Sequence, residues 1–219
     1  TGTANTAVGL NSLNANTTGG QNTALGYYAL DSNTTASSNT AIGENCLATN
    51  TTGANNAGLG YRALYSNTTA SGNTAIGRNA MYANTTGDTN VAVGYDALKA
   101  NTTGGQNTSV GYGSLNAATT ASSNTAVGYY ALVDTTTGSN STAVGRDALN
   151  AATTGASNTA VGKGALDACT TGTGNNAVGE NGLGAVTTGD NNTSLGRSGG
   201  GITTGSNNIS IGYDCMSGV

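Results

Sequence analysis

The chain contains no proline, histidine, tryptophan or phenylalanine. Without histidine it lacks the side chain most often used for acid–base catalysis and zinc binding near neutral pH. Charge is also scarce: Asp, Glu, Lys and Arg make up 7% of the residues, and the net charge is −4. The six basic residues are scattered, so the clustered Lys and Arg of a nucleic-acid footprint are missing and no nucleic-acid partner is expected. No apolar run approaches the ~18 residues of a membrane-spanning helix, so no membrane insertion is expected. No signal peptide is visible. Enzyme function is not expected. The carboxylates, from Asp31 and Glu44 to Asp190 and Asp214, fall at different places in the sequence pattern, and no acid pair recurs at a spacing that builds a site.

What the chain does contain is a strict repeat. Gly9, Gly26, Gly43, Gly60, Gly77, Gly94, Gly111, Gly128, Gly145, Gly162, Gly179 and Gly196 stand 17 residues apart, and Gly212 follows at 16. An aliphatic residue precedes every one of them, from Val8 and Leu25 to Leu195 and Ile211. Leu or Met stands four residues after them, from Leu13 to Met216, with Gly200 the exception. Small residues fill the columns two before and three after. Asn stands four before, with Ser141 the exception, and a Thr-Thr pair runs from Thr17-Thr18 to Thr187-Thr188 and Thr203-Thr204. Gly, Asn, Thr, Ser and Ala dominate, and by composition alone such a chain would be disordered. Disorder gives no reason to hold an apolar residue in one column through thirteen copies. The array therefore reads as stacked units that support one another.

Seventeen residues with Gly, Asn and repeated Thr-Thr have weak helix propensity and no 3.6-residue stripe. The β-branched bias before the glycine suits short strands. The expected fold is all-β: a parallel β-solenoid or β-roll with one 17-residue coil per repeat and strands ~4.8 Å apart, spanning about 58 Å. Residues 1–219 form a single array of about 12 repeats, irregular from 197 on where Ser198-Gly199-Gly200-Gly201-Ile202 breaks the pattern. The array begins inside a repeat and stops just after one, which suggests a segment of a longer fibre.

The glycine marks a corner where positive φ is free. Asn suits the turn and can stack into a hydrogen-bonded ladder. Asn22, Gly26, Asn39, Gly43, Asn124 and Gly128 represent this turn ladder. Cys46 and Cys215 share a column ten repeats apart. That is roughly 48 Å at the strand spacing, beyond disulfide reach. With Cys169 they read as small packing residues.

The apolar content is thin. The expectation is that one Val and one Leu per coil are buried, worth ~4–5 kcal/mol against ~25 kcal/mol for ordering seventeen residues. Either the coil is very tight, or neighbouring chains share the core. Association of identical chains, as a homotrimer, is favoured over a monomeric solenoid.

The string Asn124-Thr125-Ala126-Val127-Gly128-Tyr129-Tyr130-Ala131-Leu132 and its relatives resemble the repeats of bacteriophage tail fibres, where they often precede an intramolecular chaperone domain. They are similar also to the head repeats of trimeric autotransporter adhesins, which are shorter and carry one more residue between Asn and Gly. The resemblance covers the whole chain. It implies a structural fibre or adhesin shaft on a virion or cell surface, extracellular and trimeric, acting as a stiff spacer in host attachment. It carries no catalytic residue, cofactor or metal.

Three surface features suggest other roles. The column after the glycine reads Leu10, Tyr27, Glu44, Tyr61, Arg78, Tyr95, Tyr112, Tyr129, Arg146, Lys163, Glu180, Arg197, Tyr213. Stacked coils align these residues, either as mutual stacking and cation–π support at ~0.5–1 kcal/mol per contact or as an aromatic strip for a host surface glycan. Tyr28 and Tyr130 widen the strip. The Thr-Thr column suggests an ice- or surface-binding solenoid, although adjacent residues point to opposite sides of a strand. Asn16-Thr17-Thr18, Asn33-Thr34-Thr35 and their relatives match the N-glycosylation sequon, which in a glycosylating host would decorate one edge. A calcium ladder is not expected, since no aspartate column recurs.

Overall fold

The computed structural model describes residues 2–197 and 201–215. The chain divides into two compact units, Thr1–Asn107 and Thr108–Val219, and each is a parallel β-solenoid with one coil per repeat. The first unit holds β1 (Thr6–Val8), β2 (Thr23–Leu25), β3 (Thr40–Ile42), β4 (Ala57–Leu59), β5 (Thr74–Ile76) and β6 (Val91–Val93). The second holds β7 (Thr108–Val110), β8 (Thr125–Val127), β9 (Thr142–Val144), β10 (Thr159–Val161), β11 (Asn176–Val178), β12 (Thr193–Leu195) and β13 (Ile209–Ile211). Within each unit every strand pairs in parallel with the next in sequence. Like lies over like: Ala24 pairs Ala41, and Val127 pairs Val144. The shortened last coil keeps the same register, with Thr193 over Ile209. Ser198 to Gly200, where the pattern breaks, and Met216 lie outside the described residues. Among the described residues there is no helix.

Each coil has one strand of only three residues, and the alternation of side chains decides what it buries. In β2, β5, β8, β9 and β10 the middle alanine is buried and the aliphatic residue faces out. Val8 is 56% and Leu25 47% exposed. The expectation that the aliphatic column joins the core is therefore wrong. The coil is so narrow that its inward strand position has room for little more than a methyl group. The interior consists instead of that alanine, the alanine three residues after the glycine, the leucine four after it, and asparagine. Ala24, Ala29, Leu30, Asn22 and Asn33 are all fully buried.

The Ala-Leu segment is not a second strand. Its leucine turns inward from a left-handed backbone, at φ 50° in Leu30 and 53° in Leu132. That conformation costs a bulky side chain about 1–3 kcal/mol and persists only where its surroundings fix it. Here the fixing is done from the next coil: Leu30 N–H donates to Cys46 O at 3.1 Å and Leu132 N–H to Ala148 O at 3.0 Å. The corner glycine is required on two counts. Gly128 has φ +146°, and a Cβ there would run into the carbonyl of Gly145.

Asparagine turns out to be a core residue. In the column four before the glycine, Asn22 N–H donates to Asn5 Oδ1 at 2.9 Å, and Asn22 Nδ2 donates to Ala36 O at 2.9 Å. Asn39 repeats both contacts, to Asn22 Oδ1 and Gly53 O. Asn124 donates from Nδ2 to Gly138 O and accepts from Ser141 N–H. The expected ladder exists, but the left-handed residue is the one before it, such as Gln21 or Asn140. A second ladder occupies the first unit alone. Asn33, Asn50, Asn67, Asn84 and Asn101 each donate from Nδ2 to the Oδ1 of the asparagine 17 residues earlier, at 2.7–3.0 Å. In the second unit that column holds Ala118, Thr135, Ala152, Cys169 and Val186, all buried. Cys46, Cys169 and Cys215 are free thiols, and the first two are buried packing residues as expected.

Candidate functional site

The corner glycine turns the chain so that the next side chain projects outward, and 17-residue stacking sets these side chains in line. In the first unit Arg78 lies over Tyr61 at 5.6 Å and over Tyr95 at 5.5 Å, and its Nη1 donates to the Tyr95 hydroxyl at 3.2 Å. Arg62, one residue beyond Tyr61, covers the Tyr61 ring at 4.9 Å. Tyr28 meets Tyr27 edge-on at 4.3 Å. In the second unit Tyr112 and Tyr129 stack at 5.4 Å with planes 16° apart, and Tyr130 packs against both. Gly113 makes room for it: a Cβ there would collide with the Tyr130 ring. Further along, Glu180 takes Lys163 at 3.2 Å and Arg197 at 3.6 Å, and Arg197 lies over Tyr213.

The predicted strip therefore exists within each unit, and its members chiefly touch one another. A sugar ring stacks on an aromatic face, but Tyr61, Tyr95, Tyr112 and Tyr129 each give a face to a neighbouring Tyr or Arg. Tyr112 and Tyr129 remain 45% and 49% exposed. The phenols respond to one another. Tyr27 is held above its ordinary pKa, first by its hydrogen bond with Tyr28 and then by burial. Tyr130 is raised by its hydrogen bond with Tyr129. Among the described residues no group of three His, Cys, Asp or Glu side chains is placed to hold a metal ion.

The Thr-Thr column divides in two. The first threonine donates its hydroxyl to the same position one coil on, as Thr34 does to Thr51 O at 3.1 Å and Thr51 to Thr68 O at 3.0 Å. The second is exposed, as at Thr35, Thr52 and Thr69. Only one hydroxyl of each pair is thus left to face solvent, and the pair forms no two-threonine row. In the sequons, Asn33, Asn50, Asn67, Asn84 and Asn101 are fully buried, with Nδ2 engaged in the inner ladder. An oligosaccharide cannot reach those amides while the coil is folded.

A further exposed surface was missed in the sequence. Flanking the buried alanine, the strands present a threonine on one side and the aliphatic residue on the other, both outward. Thr40 and Ile42, Thr125 and Val127, and Thr142 and Val144 are examples. The signal was a third column, threonine three before the glycine, alternating about a small residue.

These features define a parallel β-solenoid whose polar interior is bonded coil to coil and whose outside carries two periodic faces. Comparison with protein-family models, with curated proteins and with solved structures gives no match.

Proposed function

We propose that the chain is a structural segment of an extracellular fibre, a phage tail-fibre shaft or comparable surface adhesin. It serves as a stiff spacer in host attachment and assembles with identical chains as a homotrimer. One observation carries the reading. Within each unit, backbone, asparagine and threonine groups bond every coil to the next in the same pattern. Bending or slipping a coil would break several of these bonds together, so the repeat is built to transmit position. The resemblance to fibre repeats points the same way.

The test is to delete the two whole repeats that carry Tyr112, Tyr129 and Tyr130 from the parent fibre. A spacer keeps attachment and shortens by two coils. Lost attachment with intact folding would make the tyrosine strip a glycan-binding module instead. Sedimentation or light scattering reads the oligomer directly, and a single-chain mass at all concentrations would remove the homotrimer.

A further inference from the structure

The sixteen charged side chains of the sequence avoid the strands completely. Taking the corner glycine as origin, they stand one, two, five or six residues after it, as in Arg78, Asp96, Lys99 and Asp134, or six before it, as in Asp88 and Asp190. The strand triplet itself holds only uncharged residues, and its last position is aliphatic in all thirteen copies. Yet that position faces out, still 54% exposed at Leu195 and 67% at Ile211. A solvated face has no reason to exclude every charge and keep an aliphatic residue on every rung.

We propose that this outward Thr-x-aliphatic face is the surface on which copies of the chain pack against one another. It rests on the reading of the chain as a self-associating fibre segment, and it names the contact.

Area is the first argument. A three-residue strand about 10 Å long repeated every ~4.8 Å gives about 48 Å2 per rung, or about 290 Å2 on the six strands of the first unit and about 340 Å2 on the seven of the second. Each is about the size of the largest patch that a monomer ordinarily leaves exposed, and such patches are often functional. The second argument is tolerance. The threonine column accepts Ala57, Val91, Asn176 and Ile209, and the aliphatic column accepts Val, Leu and Ile interchangeably. A surface that orders water or ice needs its hydroxyl row kept, and a sugar site needs polar partners. A packing face needs only apolar bulk. The third is register. A second copy carries the same repeat, so each rung can meet a rung.

The experiment uses the full chain and sedimentation mass. Val127→Lys, Val144→Lys and Val161→Lys together place three charges on the face. Thr120→Lys, Thr137→Lys and Thr154→Lys place the same charges on an exposed column elsewhere. The expected result is a fall from multimer to single-chain mass in the first variant only, with unchanged circular dichroism in both. As a milder probe, Val127→Cys in a Cys215→Ser background is expected to form an intermolecular disulfide on oxidation, and Thr137→Cys is not. If the wild type is multimeric but neither the lysines nor the cysteine report the face, the face is wrong and self-association stands. If the wild type is a single chain, both readings fall, and thermal hysteresis in that sample would assign the face to ice.

Discussion

Cys46 and Gly58 test the interior by a double-mutant cycle. Cys46 sits three residues after a corner glycine and is fully buried, and Gly58 is the middle residue of β4. Other coils use alanine in both columns, as in Ala29 with Ala41 and Ala63 with Ala75, all fully buried. A Cβ on Gly58 would strike Cys46 Sγ and reach Leu47 Cδ1 at 3.5 Å. The larger residue in one column is thus matched by the smaller in the other. Gly58→Ala alone should overpack, costing about 1–3 kcal/mol, less about 0.5–1 kcal/mol from the stiffer unfolded chain. Cys46→Ala alone should lose about 1–2 kcal/mol, one buried methylene-sized group plus the gap left beside the glycine. The double variant recreates the alanine pair and should fall within about 0.5 kcal/mol of wild type, a coupling of roughly 2–3 kcal/mol. Urea unfolding of the full chain gives the global values. Because a repeat array can open piecewise, amide exchange over residues 40–64 supplies the local ones. Additivity within ~0.5 kcal/mol, or a Gly58→Ala that stabilises by itself, would refute facing columns of fixed total volume.

Other expectations follow from the same interior. Burial pushes the Cys46 thiol up to about 12, so it stays protonated in the folded chain while the unfolded thiol ionises near its ordinary value. Stability from this group is complete below pH ~9 and falls by ~1.4 kcal/mol per pH unit up to about pH 12; Cys46→Ala should remove that difference in alkaline denaturation curves. Asn67→Ala removes the Nδ2 donor to Asn50 Oδ1 and Ala70 O and the acceptor of Asn84 Nδ2. It should cost about 2–4 kcal/mol in urea, with protection lost first in the neighbouring coils. Gly128→Ala combines the φ penalty with collision against Gly145; it should abolish slow amide exchange in coils of the second unit next to it, while an exposed control such as Thr137→Ala stays within ~0.5 kcal/mol of wild type.

The period, the parallel in-register stacking, the glycine corner, the asparagine ladder and the line of Tyr and Arg were legible because each rests on identity between coils. Inside and outside were harder to read. In Thr125-Ala126-Val127 a hydrophobicity scale points Val127 inward, but width decides, and only Ala126 fits. Three residues are too few for alternation to announce itself when threonine and valine share a face. Leu30 and Leu132 could not be foreseen at positive φ, since no propensity favours leucine there. Asn22 and Asn33 read as turn residues because their usual place is a turn. They are buried because a narrow coil brings a backbone carbonyl within reach of each Nδ2 and an N–H donor of the next coil within reach of each Oδ1.

That narrowness also explains where the sequence varies. An interior about one side chain wide leaves each inward residue few neighbours, and two changes in it come in pairs. Gly58 answers Cys46. Ser109 and Ser114 replace the usual alanines together and share a hydrogen bond, with Ser109 Oγ also donating to Ser114 O at 2.8 Å. Ser114 Oγ also reaches the corner carbonyl Gly111 O at 3.2 Å, as Ser12 Oγ reaches Gly9 O at 3.0 Å. At the last asparagine of the inner ladder, Asn101, Oδ1 is buried without a hydrogen-bond partner. The outward columns meet no such condition and take Tyr, Arg, Glu or Lys freely, except on the strands. There the restriction to uncharged residues has no source inside the coil, because the side chains concerned point away from it. Packing of copies on this face, as proposed above, would supply the constraint that strand propensity alone does not.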